Sequence, residues 1–216
     1  MKASIKKLTL LPVAIITLLG SLISSNSHAV VVYDNGAPIN DSYLCAEDSG
    51  ICGGAEWTVF DDFTLSSATT ITDISWVSTL WGGQSDLNGV RAWIYSADPV
   101  FSSGSLLHTI DLQSNAVVAN GSFFNVTLTN LDISLDAGTY WLGMQHDTTS
   151  NFATVACSNC SIGNGTQSSG QTHYQISNEF AFSIEANDVP EVPEPSSLAI
   201  LALGLAGLGL SRLRKA

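Results

Sequence analysis

Arg91, Trp93 and Tyr95 alternate along the segment VRAWIYSA, a spacing that places one cation and two aromatic rings on the same side of a β-strand. Aromatic rings stack on the apolar C–H faces of sugars, and a guanidinium group hydrogen-bonds sugar hydroxyls. These residues are therefore a candidate sugar-binding face. The residues between and before them would point into the core: Val90, Ala92 and Ile94.

A neighbouring strand would enlarge this face with Trp76 or Trp81, depending on its register. The alternative stays open, because tryptophans in a small β-protein more often pack in the core or across strands. Arg91 would in that case pair with nearby acids.

The chain is strongly acidic, with 19 Asp and Glu against 7 Lys and Arg. Arg91 is the only Lys or Arg between Val30 and Asp188. Nucleic acid is excluded as a partner, because binding a phosphate backbone requires clustered cations. The carboxylates must be solvated, hydrogen-bonded or neutralised by metal, and structural Ca²⁺ is the cofactor to test; solvated acids are the alternative.

The sequence predicts no catalytic site, so we expect a protein that is not an enzyme. Asp61 and Asp62 are adjacent, and in a strand they would point to opposite faces rather than form an acid/base pair. His146 and Asp147 are likewise adjacent and make no triad, and no serine stands in a nucleophile-elbow motif.

The four cysteines form two close pairs, Cys45 with Cys52 and Cys157 with Cys160. Three pairings are possible, and we expect the local one, in which each disulfide closes a short loop. A redox motif or half of a zinc site at CSNC is the alternative. The segment has no strand-to-helix context, and no histidine is spaced to complete a metal site.

Short segments in which apolar and polar residues alternate must position these side chains. Such segments are separated by clusters of Gly, Asn, Ser and Asp, and no window has a sustained helical period; they lie at 58–65, 70–81, 90–95, 106–112, 124–128, 139–146 and 180–184. We predict an all-β fold, a single antiparallel β-sandwich that is jelly-roll-like, over residues 30–186.

The N-terminus has the pattern of a secretory signal peptide, residues 1–29. Lys2, Lys6 and Lys7 precede an apolar run that ends in the small residues Ser27-His28-Ala29. An uncleaved anchor helix is the alternative. Cleavage after Ala29 would place the domain outside the cytoplasm.

The C-terminus carries a second apolar run, after the acidic and proline-containing linker at 187–196. We predict a membrane helix at 197–211 and a basic cytoplasmic tail at 212–216, which contains Arg212, Arg214 and Lys215. About 15 residues cover roughly 22 Å, short for a bilayer core of about 30 Å. The short span suggests a temporary anchor, and a simple single-pass anchor is the alternative.

Val192-Pro193-Glu194-Pro195, the apolar run and the terminal basic cluster together resemble the PEP-CTERM sorting signal of Gram-negative bacteria that make exopolysaccharide. The resemblance implies a transient inner-membrane anchor and an exosortase as processing partner. The exosortase would remove the tail and pass the protein to the cell surface or extracellular matrix.

More loosely, FDDFTLSSATTITDISW, VRAWIYSA and LDAGTYWLGM resemble lectin-like or carbohydrate-binding sandwiches found upstream of this signal. Three hypotheses follow: a non-enzymatic surface or biofilm protein that binds extracellular polysaccharide, a structural surface protein without affinity for glycans, and a polysaccharide hydrolase or lyase.

Overall fold

The structure, a computed structural model, describes residues 29–39, 43–81, 87–113, 117–120, 123–149 and 152–187. Strands account for all of the regular secondary structure in these ranges. They are β1 (Ala29–Asp34), β2 (Tyr43–Cys45), β3 (Thr58–Leu65), β4 (Thr69–Trp81), β5 (Leu87–Tyr95), β6 (Leu106–Gln113), β7 (Val117–Asn120), β8 (Phe123–Leu128), β9 (Ile133–Leu135), β10 (Gly138–Thr148), β11 (Phe152–Asn159), β12 (Thr166–Ser168), β13 (His173–Gln175), β14 (Glu179–Phe180) and β15 (Phe182–Asn187).

The strands form two antiparallel sheets. Five strands of the nine-stranded sheet follow the order β1-β15-β4-β11-β14. The other four lie off this path: β8 and β9 pair with β4, β7 pairs with β8, and β2 pairs with β11. The six-stranded sheet has the order β13-β12-β3-β10-β5-β6. The predicted all-β antiparallel sandwich is confirmed.

The core lies between the two sheets and follows the two-residue period of the strands. β4 and β15 of the nine-stranded sheet contribute Ile74, Trp76 and Ile184, all at most 1% exposed. The six-stranded sheet contributes fully buried side chains from β5 and β10: Val90, Ala92, Ile94, Leu142 and Met144.

The compact unit formed by these strands spans Ala29–Asn187. Its first and last strands, β1 and β15, are paired, with Ala29 opposite Asn187. The remainder of the predicted signal peptide, the linker from 188 onward, the predicted membrane helix at 197–211 and the basic tail lie outside the described residues. Within the ranges that the structure describes, no helix is long and apolar enough to cross a membrane.

Candidate functional site

An aromatic face lies on the outer side of the six-stranded sheet. Because Val90, Ala92 and Ile94 point into the core, the alternation of β5 turns Arg91, Trp93 and Tyr95 outward, where each is half-buried. These three residues therefore share one surface.

Trp141 on β10 completes this face. It lies directly opposite Tyr95, and two residues further along β10 Gly143 lies opposite Trp93. A methyl group on Gly143 would stand 2.8 Å from Cε1 of Phe60 and 3.4 Å from Cε3 of Trp93, so both rings lean over this glycine. We use the name aromatic face for Trp93, Tyr95 and Trp141, with Phe60 beneath them.

The predicted contribution of Trp76 and Trp81 to this face is wrong. Both residues lie on β4, which belongs to the other sheet, whereas the neighbours of β5 are β10 and β6. Trp76 is 1% exposed and packs in the core. Sequence reasoning missed Trp141, although the alternation in GTYWLGM carried the signal.

The loop between β5 and β6 crosses the outer side of the sheet and borders the aromatic face. Asp98 in this loop accepts a hydrogen bond from the backbone N–H of Val100 at 2.7 Å, and the Thr166 hydroxyl of β12 lies 3.5 Å from the same carboxylate oxygen. Thr166 pairs with Phe60, which is 7% exposed and makes a T-shaped contact with the ring of Tyr95.

Arg91 stands at the other end of the face and forms two ion pairs. Its guanidinium group donates to Asp48 at 2.7 Å and to Asp147 at 3.0 Å. Asp48 is positioned by the loop that the Cys45–Cys52 disulfide closes and also accepts the N–H of Thr148 at 3.1 Å. The alternative considered for Arg91, pairing with nearby acids, is therefore what the structure contains.

Of the two predicted disulfides, the structure contains the first, with a Cα–Cα distance of 6.3 Å between Cys45 and Cys52. The predicted Cys157–Cys160 bridge is wrong; both residues are described and the structure does not join them. Cys157 lies on β11, which stays extended as far as Asn159. In place of a bridge, Cys157 is held in β11 by its pairing with Phe180 of β14, and Cys160 follows the end of the strand.

His146 and Ser78 form a buried pair in the interior. The Ser78 hydroxyl lies 2.7 Å from Nε2 of His146, and Nδ1 lies 2.7 Å from the carbonyl oxygen of Ala46. The carbonyl can only accept, so Nδ1 carries the proton and Nε2 accepts from Ser78. Both side chains are 0% exposed, and burial lowers the pKa of His146 to about 4. The pair holds β4 to β10 and lies out of reach of any substrate.

A carboxylate cluster lies where β3 meets β14. Asp61, Asp62 and Glu179 each place an oxygen within 4.8 Å of the others. Asp61 points inward and is 0% exposed; it accepts the backbone N–H of Phe180 at 2.7 Å and the Asn35 amide at 2.9 Å. Burial raises the pKa of Asp61 to about 8, and the charge of Glu179 adds to this.

This cluster was not expected from the sequence, which predicted that Asp61 and Asp62 diverge. Their side chains do start on opposite faces, yet their carboxylates converge on Glu179 because β14 brings it alongside β3. One calcium ion could be coordinated by these oxygens only if it displaced the Asn35 amide, which donates to Asp61 at 2.9 Å and to Glu179 at 3.1 Å. Structural calcium stays a prediction, and these three residues would hold the ion.

An open cleft of about 240 Å³ lies on the outer side of the nine-stranded sheet. Its exposed lining is small and polar and includes Asp34, Ser75, Asn125, Thr127 and Ser183. Ser75 and Thr127 already bond each other at 3.1 Å. The rings of the aromatic face lie on the opposite sheet.

The protein is therefore a small, acidic, all-β domain with one disulfide, Cys45–Cys52, and a partly exposed aromatic face. At the C-terminus, residues 191–215 match the PEP-CTERM protein-sorting motif. The match contains Val192, Pro193, Glu194, Pro195, Arg212, Arg214 and Lys215. The chain thus carries a PEP-CTERM sorting signal, and the interpretation of it as an exosortase substrate is confirmed.

The motif defines an exported protein with a transient membrane anchor, consistent with a Gram-negative bacterium. No curated protein matches the chain.

Proposed function

We propose that the exported domain binds extracellular polysaccharide through its aromatic face and serves, without enzymatic activity, as a component of the cell surface or biofilm matrix. The observation that carries this proposal is the pairing of Tyr95 with Trp141 beside Trp93, on the side of the sheet that faces away from the core.

The face has the chemistry that a sugar polymer requires. Its rings are held on two central strands, so little side-chain entropy is lost when a ligand stacks on them. Phe60 packs against Tyr95, with the two ring centroids 5.9 Å apart. Sugar hydroxyls need polar partners at the margin, and the remaining N–H groups of Arg91 can donate to them because only two are engaged by Asp48 and Asp147.

The acidic character of the domain limits the kind of polymer. Residues 30–188 contain 17 Asp and Glu against one Arg, so an anionic polysaccharide would be repelled at low salt. A neutral polymer, or an acidic one bridged by calcium, is the better ligand.

The proposal is tested by retention of the purified protein on polysaccharide from exopolysaccharide-producing cells. Trp141→Ala and Trp93→Ala should each weaken binding about tenfold, since one stacked ring contributes about 1 kcal/mol or more. Tyr174→Ala is the matched control, because Tyr174 is an exposed aromatic residue of the same sheet on the distant strand β13. Equal retention of all variants would exclude the aromatic face.

Two other outcomes would identify another function. Full incorporation into the matrix with no measurable glycan affinity would indicate a structural surface protein. Release of reducing ends or unsaturated products by the purified protein would indicate a polysaccharide hydrolase or lyase.

A further inference from the structure

The open cleft on the outer side of the nine-stranded sheet is built on a row of register partners. Asp34 of β1 lies opposite Ser183 of β15, and Ser183 lies opposite Ser75 of β4. Ser75 in turn lies opposite Thr127 of β8. The residues before and after each serine belong to the core, so the serines face outward. Four neighbouring strands therefore present four short polar side chains side by side.

Small residues leave the space that forms the cleft, and polar groups stand at its two margins. On the β1 side, Oδ1 of Asp34 accepts the N–H of Gly36 at 2.9 Å, and Gly36 turns the chain with a φ of 94°. This turn holds the Asp34 carboxylate at the cleft. On the β8 side, Asn125 lies two residues from Thr127 and so on the same side of the strand. The cleft is thus bordered by a carboxylate at one margin and by an amide at the other.

The polar groups of the cleft keep capacity for further hydrogen bonds. Ser75 donates to Thr127 at 3.1 Å, so the Thr127 hydroxyl still has its own proton to donate. Within the described part of the chain, the Asn125 amide and the Ser183 hydroxyl make no hydrogen bond to another residue. The cleft can therefore donate to a ligand and accept from it without breaking a bond within the protein.

The lining favours an uncharged ligand with several hydroxyl groups. Asp34 is its only ionisable side chain, and Asp73 and Glu185 pair with each other further along the same face, so an anion would be repelled. A single carboxylate offers little charge for binding a divalent cation. The rings of Trp76 and Phe182 are at most 2% exposed, so a flat apolar ligand would have no ring to stack on.

The size of the cleft suits one sugar unit. Its volume of about 240 Å³ is smaller than the roughly 300 Å³ or more of pockets that bind drug-sized ligands. Each hydroxyl of a sugar both donates and accepts a hydrogen bond, and the hydroxyl and amide groups of the cleft do the same.

We propose that this cleft is a second sugar-binding site, which holds one unit of a neutral polysaccharide by hydrogen bonds alone. The aromatic face lies on the outer side of the six-stranded sheet, so the core separates the two sites. A polymer chain on one site cannot reach the other without bending around the domain. One domain would therefore join two polymer chains. The inference goes beyond the proposed function, because the cleft would bind sugar whether or not the aromatic face does.

NMR titration of the isotope-labelled mature protein tests the site. The probe is the mixture of neutral oligosaccharides that partial hydrolysis releases from the exopolysaccharide of the producing cells. We expect binding to shift the backbone amide signals of Ser75, Asn125 and Ser183. Thr127→Val should weaken the binding measured at these amides about two- to tenfold, because one hydroxyl is lost at nearly constant shape.

Thr70→Val is the matched control. The Thr70 hydroxyl bonds that of Ser134 at 3.0 Å, in a cross-strand pair that resembles Ser75 with Thr127 but lies outside the cleft. This variant should bind the oligosaccharides as tightly as the wild type. Equal weakening by Thr70→Val and Thr127→Val would overturn the cleft site.

The pattern of shifted signals separates this inference from the proposed function. Shifts at the aromatic face alone would overturn the cleft site and leave the proposed function standing. Shifts at the cleft alone would support the cleft site and contradict the proposed function. If neither region shifts, both are wrong.

The joining of two chains is measured by light scattering of the intact neutral polysaccharide. Wild-type protein should increase the scattering, and Thr127→Val and Trp93→Ala should each reduce the increase, because each variant weakens one of the two sites. Protein that binds at both sites without increasing the scattering would overturn the joining of two chains.

Discussion

Ala29 pairs with Asn187 at the edge of the nine-stranded sheet, so the predicted end of the signal peptide and the start of the linker to the sorting motif lie side by side. The bond after Ala29 is part of this pairing in the folded domain, with Val30 opposite Ala186. Because a protease needs an accessible extended bond, cleavage of the signal peptide should precede closure of β1 on β15.

Removal of the signal peptide and of the C-terminal tail should set the mass of the mature protein. Protein recovered from wild-type cells should begin at Val30 and lack Arg212 and Arg214, whereas cells without the exosortase should retain a membrane-bound form with the tail. Intact mass spectrometry of both samples is the measurement. A mature surface protein that still carries the basic tail would contradict the processing route.

Gly143 should not tolerate a side chain. A methyl group there would lie 2.8 Å from the Phe60 ring, closer than real contacts allow, so Gly143→Ala should lower the free energy of unfolding by about 1 to 3 kcal/mol. Gly138→Ala on the same strand meets its nearest atom at 3.5 Å and should change stability by less than about 0.5 kcal/mol. Chemical denaturation of both variants checks this difference.

Arg91→Ala should destabilise the domain by about 1 kcal/mol, because it leaves Asp48 and Asp147 without their cation at a partly buried site. Adding Asp48→Asn should recover part of the loss, since it removes one of the two facing charges. A double-mutant cycle in urea measures the coupling. If the effects of Arg91→Ala and Asp48→Asn on stability are purely additive, the ion pair between these two residues contributes nothing.

The low pKa of the buried His146 should make the domain less stable in acid. Its pKa is about 4 in the folded protein against 6.5 for an ordinary histidine, so the unfolded chain takes up a proton first as the pH falls. The stabilisation is complete above about pH 6.5 and is lost between there and pH 4, by at most about 3 kcal/mol. His146→Gln should flatten this part of the pH profile, and His173→Gln, at an exposed position, should not.

The raised pKa of Asp61 should have the opposite effect: in the absence of divalent cations, it should make the domain less stable as the pH rises. Its pKa is raised from 3.8 to about 8, so the stability it contributes is complete below pH 3.8 and falls as the pH rises toward 8. Asp61→Asn should therefore remove this decline in stability between pH 3.8 and pH 8, measured by chemical denaturation as a function of pH. If calcium binds this cluster, it should raise the wild-type Tm and leave that of Asp61→Asn unchanged.

The outward side of β5 could be predicted because alternation is a local property: a strand turns every second residue to the same side, so Val90 and Trp93 had to face opposite ways. The neighbour of β5 could not be predicted in this way. β4 precedes β5 in the chain and was expected beside it, but β4 joined the other sheet, and β10 took that position.

The sequence alone determined the strand periodicity, the acidic charge and the C-terminal sorting motif, since each is a property of residue types or of residues close together in the chain. Only the tertiary structure decided that Trp141 lies against Tyr95, that Glu179 lies near Asp61, and that Arg91 is engaged by Asp48. These contacts join residues far apart in sequence. They depend on which strands pair and in what register, and burial of the whole core selects that pairing.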